Sequence, residues 1–170
     1  MLLLSLCITL MMSVLQAQQP SMLDTFRQKS AQECVVVDYQ FTANVSGLTT
    51  CGYGSVEVQG DSYHMVGNGV EIYCDGKTTW MIDETTKEVF LESADAESAG
   101  YLANPILLLV NLEENVASYK VDDNKISLKL SEDLTLDIVI DSMKSMPNKK
   151  SEAFRPPTEF DSSWIITDLR

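Results

Sequence analysis

The side chains that most often carry chemistry are few here, or badly spaced for it. His64 is the single histidine among 170 residues, so a three-histidine metal site is out of reach and a histidine relay has one candidate base. No Gly-x-Ser-x-Gly elbow occurs, which removes the usual frame for an activated serine. Beyond the first 17 residues the cysteines are Cys34, Cys51 and Cys74, with no Cys-x-x-Cys spacing, so a structural zinc site has little support. An odd count in an oxidising compartment implies one disulfide plus a free thiol, or three buried thiols. Asp122-Asp123-Asn124 resembles a calcium loop in composition alone, because the loop glycine and the distant glutamate are missing; turn chemistry accounts for it. Asp and Glu total 25, enough for a paired-carboxylate hydrolase. Nearly all of them sit at turns or on polar strand faces, where solvation is their ordinary role. Catalytic residues, metal and cofactor are therefore all expected to be absent.

The composition points the same way. The chain is 45% hydrophobic and 22% charged with 5 prolines and 8 glycines, the profile of one ordinary globular domain. The net charge of −13 and pI of about 4.3 leave no basic footprint for nucleic acid and disfavour anionic membrane surfaces. Met1 to Ala17 reads MLLLSLCITLMMSVLQA, with no charge. Its apolar run is short for a bilayer core of roughly 30 Å, and Leu15-Gln16-Ala17 makes a plausible cleavage site. Residues 1–17 are thus read as a signal peptide lacking the usual basic start, and 18–170 as a single exported, monomeric domain.

The elements that must position any site are mostly strands. Ser21 and Asp24 form a capping box for a short helix with Met22, Leu23 and Phe26 on one face. From Glu33 the period becomes two: Val35, Val37, Tyr39, Phe41, Ala43 and Val45 alternate with Val36, Asp38, Gln40, Thr42 and Asn44, and a turn follows at Ser46-Gly47. Further strands are expected over 54–59, 62–66, 70–74, 78–83 and 88–92, the Asp75-Gly76 turn being the strongest hairpin signal. Asn104-Pro105 reads as a cap with proline at the first helical position. The next seven residues, Ile106 to Leu112, are apolar around nearly the whole circumference, as in a buried helix. Strands resume over 117–121 and 126–130 and again through Leu134, Leu136, Ile138 and Ile140. A loop is expected over 146–150, and 164–169 is a candidate closing strand. Nine or ten antiparallel strands cannot stay flat, so the fold class is mainly β (α+β), a sheet curled into an incomplete antiparallel β-barrel. Short helices would lid or plug its hydrophobic cavity.

In this order the segments Gly54-Ser-Val-Glu-Val, Gly60-Asp-Ser-Tyr-His-Met, Val70-Glu-Ile-Tyr-Cys-Asp-Gly-Lys-Thr-Thr-Trp-Met-Ile-Asp and Lys87-Glu-Val-Phe-Leu resemble the periplasmic outer-membrane lipoprotein carrier family, LolA. Asn104-Pro105 before an apolar helix looks like the family's lid. Phe154-Arg155-Pro156-Pro157 and Ile166-x-Asp168-x-Arg170 are similar to its closing segment, especially in Bacteroidetes-type members. The likeness runs from about Met22 to Arg170 and rests on order and spacing. It implies a half-barrel with a hydrophobic cavity and a periplasmic carrier of acylated lipoproteins. The implied partners are an inner-membrane lipoprotein-releasing transporter and an outer-membrane acceptor. The family's lid-holding arginine, expected shortly before Tyr63, is missing: the chain reads Val58-Gln59-Gly60 there.

On this reading Val35, Val37, Tyr39, Phe41, Tyr63, Met65, Ile72, Trp80 and Ile82 are the candidate lipid-binding cavity residues, and Ile106, Leu107, Leu108 and Leu109 form the lid. His64 is expected to face solvent. The competing readings are an envelope module that senses lipid or protein on the same fold, and a small secreted hydrolase.

Overall fold

The computed structural model describes residues 20–94, 104–110, 112, 116–156 and 160–170; the expected signal peptide lies outside them. Helix α1 (Met22–Ser30) starts as its capping box requires: the Asp24 amide donates to Ser21 Oγ at 3.1 Å, and Asp24 Oδ2 accepts from the Ser21 amide at 3.2 Å. Its Leu23 and Phe26 are buried.

Ten strands follow: β1 (Cys34–Val45), β2 (Leu48–Gln59), β3 (Ser62–Gly67), β4 (Val70–Asp75), β5 (Thr78–Asp83), β6 (Glu88–Ser93), β7 (Ser118–Asp122), β8 (Lys125–Lys129), β9 (Leu134–Met146) and β10 (Ile165–Asp168). They form one open sheet in the order β10-β6-β5-β4-β3-β2-β1-β9-β8-β7. Ser46 and Gly47 have φ of 51° and 84°, the left-handed pair whose twist matches that of the joined strands.

Three expectations need correction. β2 begins at Leu48, not at Gly54, because the full length of β1 offers backbone partners down to the turn, Val45 facing Leu48. β9 continues past Ile140 to Met146, so the expected loop begins later: Asp38 faces Ser142 and Tyr39 faces Ile140. Asp141 is the extra residue of a bulge. The sheet is also not wholly antiparallel, since β10 runs parallel to β6. The chain reaches that edge from the far side of the sheet instead of through a hairpin.

Alternation makes the two faces different. One buries Val35, Val37, Tyr39, Phe41 and Ala43 of β1 with Val56, Val58, Met65, Ile72, Ile126, Leu128, Leu136, Ile138 and Ile140. Leu23 and Phe26 of α1 pack into the same core, with Ile106, Leu108, Leu109 and Leu112. The other face is polar across its middle. Toward β4–β6 it carries a second cluster, Tyr73, Ile82 and Val89, against which Trp80, Leu91, Phe160 and Trp164 pack.

Candidate functional site

The apolar face gathers most of the residues singled out in the sequence. Val35, Val37, Tyr39, Phe41, Met65 and Ile72 are buried in one cluster, and the half-buried Tyr63 packs against it. Trp80 and Ile82 are not among them: they lie in the cluster on the opposite face. The reason is the parity of the Asp75-Gly76 hairpin. Cys74 faces Thr79, so Tyr73 faces Trp80 and Ile72 faces Met81. Paired residues share a face, so β5 contributes Met81 to the apolar cluster. Counting pairs outward from that turn is the signal that would have found it.

Pro105–Leu109 is a 3₁₀-helical turn with proline at its start. Ile106, Leu108 and Leu109 are wholly buried, and Leu107 is half-buried. The turn is tighter than an α-helix, and Asn104 makes no side-chain cap. Among the described residues, the backbone hydrogen bonds of this segment are its own: the Leu107 amide donates to the Asn104 carbonyl and the Val110 amide to that of Leu107. Apolar packing therefore holds it on the sheet.

Two polar groups are out of character there. Among the described residues, the buried side-chain atoms without a hydrogen-bond partner are Tyr39 Oη and both amide atoms of Asn104. Tyr39 is 1% exposed, and burial pushes its pKa up to about 12. Its ring lies over Gly54, which it faces across the β1–β2 ladder. Phe41 does the same over Gly52, where its ring edge stands 2.7 Å from the position a Cβ would take. Gly52 and Gly54 of β2 thus leave room for two aromatic rings of β1, and Gly52 also for the Asn68 side-chain amide.

On the opposite face, His64 is not simply solvated. Its Nε2 lies 2.8 Å from Glu71 Oε1, which also accepts from Tyr73 Oη at 2.7 Å. The imidazole stacks on the Tyr73 ring with centroids 4.2 Å apart. Burial, then the Glu71 carboxylate, raises the Tyr73 pKa well above its ordinary value. The trio lacks an adjoining nucleophile among its bonded groups and reads as a polar clamp between β3 and β4.

A groove of about 940 Å³ also opens on this side, lined by Asp38, Gln40, Tyr53, Val66, Lys125 and Asp141 among others. Its charges are already matched. Ser142 donates to Asp38 at 2.6 Å, Gln40 to Asp141 at 3.0 Å, and Lys125 pairs with Asp137 at 2.8 Å. The cysteines fit neither sequence alternative: Cys34 and Cys74 are buried, Cys51 is exposed, and all three are free thiols. Asn124 serves the turn expected of it, exchanging backbone and side-chain hydrogen bonds with Ile140. No group of histidine, cysteine and carboxylate side chains suited to a metal occurs among the described residues.

No protein-family model matches the chain, and no curated protein matches it.

Proposed function

We propose that this chain is a periplasmic carrier of the LolA-like kind, holding the acyl chains of lipoproteins against the apolar face of its sheet. It would receive them from an inner-membrane lipoprotein-releasing transporter and pass them to an outer-membrane acceptor. In this reading the open ten-stranded sheet is an incomplete barrel, and the Pro105–Leu109 turn, carrying Ile106 to Leu109, is its lid. The observation that carries the reading is the all-apolar 3₁₀ turn, packed on an apolar sheet face with no described backbone hydrogen bond to it. Such a cover is exchangeable. An acyl chain that displaces it restores burial worth ~25 cal/mol per Å², so opening and loading nearly balance. A cover stitched to the sheet by a hydrogen-bonded ladder would have no equivalent replacement.

The missing family arginine fits the same picture. Gln59, at the end of β2, donates from Nε2 to the Lys149 carbonyl at 3.0 Å and accepts from the Lys149 amide at 2.8 Å. It is engaged with the segment after β9 and not with the lid, so closure here depends on apolar packing.

The test is a calorimetric titration with a triacylated lipopeptide and its deacylated twin, with native mass spectrometry for stoichiometry. Saturable one-to-one binding of the acylated form alone is expected. Binding of neither, or of both alike, overturns the reading.

A further inference from the structure

Tyr39 is expensive as a core residue. A hydroxyl buried without a partner loses its water hydrogen bonds uncompensated, and a glycine inside a strand loses more chain entropy on folding than an alanine would. The structure accepts both at one place: Tyr39 Oη has no partner among the described residues, and Gly54 is what makes room for it. A Cβ at Gly54 would stand 2.8 Å from Oη. Phe41, two residues along the same row, shows that the face accepts a phenylalanine ring over a β2 glycine. The hydroxyl is therefore not needed to fill space.

Tyr39 lies on the face proposed for acyl chains, in the same cluster as the covering residues Ile106, Leu108 and Leu109. Asn104, at the head of that cover, is the other described residue with buried polar atoms left over. A ligand that was hydrocarbon alone would leave both groups as they are. A ligand with a carbonyl at the head of its acyl chains would supply an acceptor for Tyr39 Oη and satisfy it.

We propose that the Tyr39 hydroxyl is the polar anchor of the apolar site, donating to an acyl ester or amide carbonyl, so that the site selects carbonyl-linked acyl chains over plain alkyl chains. This rests on the carrier reading. It adds to it a donor, a class of acceptor and a basis for discrimination. A phenol is neutral at physiological pH and so holds the proton it must donate; burial, which pushes the Tyr39 pKa up to about 12, only widens that margin.

The experiment compares two lipopeptide probes with the same uncharged peptide and the same two hexadecyl-length chains. One is ester-linked through carbonyls and the other ether-linked without them. Each is titrated calorimetrically into the wild type and Tyr39→Phe, and thermal unfolding of both unliganded proteins is recorded. The wild type is expected to bind the ester probe about five-fold or more tighter than the ether probe, the ratio expected of one buried neutral hydrogen bond. Tyr39→Phe should bind the two alike, at the ether affinity of the wild type, with a melting temperature no lower than wild type.

Equal binding of the two probes by the wild type overturns the anchor and leaves the carrier reading standing. So does an ester preference that survives in Tyr39→Phe. A lowered melting temperature in Tyr39→Phe assigns the hydroxyl a structural partner and also overturns it. Failure of the wild type to bind either probe removes the carrier reading, and the anchor with it.

Discussion

Tyr39 and Gly54 face each other across β1 and β2, with the tyrosine ring laid over the glycine so that a Cβ there would stand 2.8 Å from Oη and 3.0 Å from Cζ. Tyr39 is fully buried, so its ring has little freedom to retreat. Gly54→Ala should lower stability by about 1–3 kcal/mol, the range for overpacking a core. In a Tyr39→Phe background the nearest atom becomes Cζ, and part of that loss should return. A double-mutant cycle in urea is expected to give a coupling of about 0.5–1 kcal/mol; additive losses would show that the two residues do not constrain each other.

Leu108 is fully buried in the 3₁₀ turn that covers the apolar face. A carboxylate there cannot stay docked without a partner. Leu108→Asp should keep the far-ultraviolet signature of the sheet, gain binding of a hydrophobic dye, and lose about ten-fold or more in lipopeptide affinity. A folded variant with unchanged affinity would detach the 105–109 segment from ligand binding.

Both tryptophans lie away from that face. Trp80 and Trp164 pack around Tyr73, Ile82 and Val89, with Trp164 at a ring distance of 5.2 Å from Phe160. Lipopeptide binding should therefore leave tryptophan emission nearly unchanged. Phe160→Ala should cost about 1 kcal/mol through the lost aromatic pair and make Trp164 easier to quench with acrylamide. A large emission shift on ligand addition would put the ligand on the polar side of the sheet.

Asp75 anchors the segment after β9 to the β4–β5 hairpin, accepting from Arg155 Nε at 2.7 Å and from the Lys77 and Thr78 amides at 3.0 Å. Burial pushes its carboxyl up, but the Thr78 amide, the Arg155 guanidinium and the Lys77 amide outweigh it and hold the pKa below the usual carboxylate value. A depressed folded pKa gives stability that is complete above the unfolded value of about 3.9 and lost as pH falls through the folded one. Arg155→Ala should cost about 1 kcal/mol at neutral pH, since the guanidinium is half-exposed and screened. The deficit should shrink at acid pH, well below the ordinary carboxylate value, as Asp75 takes up its proton. Thermal unfolding at the two pH values measures it; a deficit that persists in acid would mean that the arginine acts through packing alone.

Much of the architecture could be read without coordinates because its signals are local. The inward row of β1 follows from alternation over twelve residues, and the first hairpins follow from Ser46-Gly47, Asn68-Gly69 and Asp75-Gly76, whose glycines occupy the left-handed positions that the turns require. The capping box of α1 needs only Ser21 and Asp24. Neighbours along the chain are sufficient for each of these, so no distant contact can reverse them.

What depended on tertiary structure was every relation between distant strands. β9 lies beside β1, a bulge at Asp141 keeps their apolar rows in step, and β10 joins β6 in parallel. The face of Trp80 and Ile82 depended on the parity of a pairing, and both faces of β5 carry apolar residues, so alternation left the choice open. The partnerless Tyr39 hydroxyl was legible only once Gly54 was seen across the ladder from it. Side-chain periodicity assigns residues to alternate faces of a strand, but burial summed over the whole sheet decides which face becomes the core and which polar groups are left inside it.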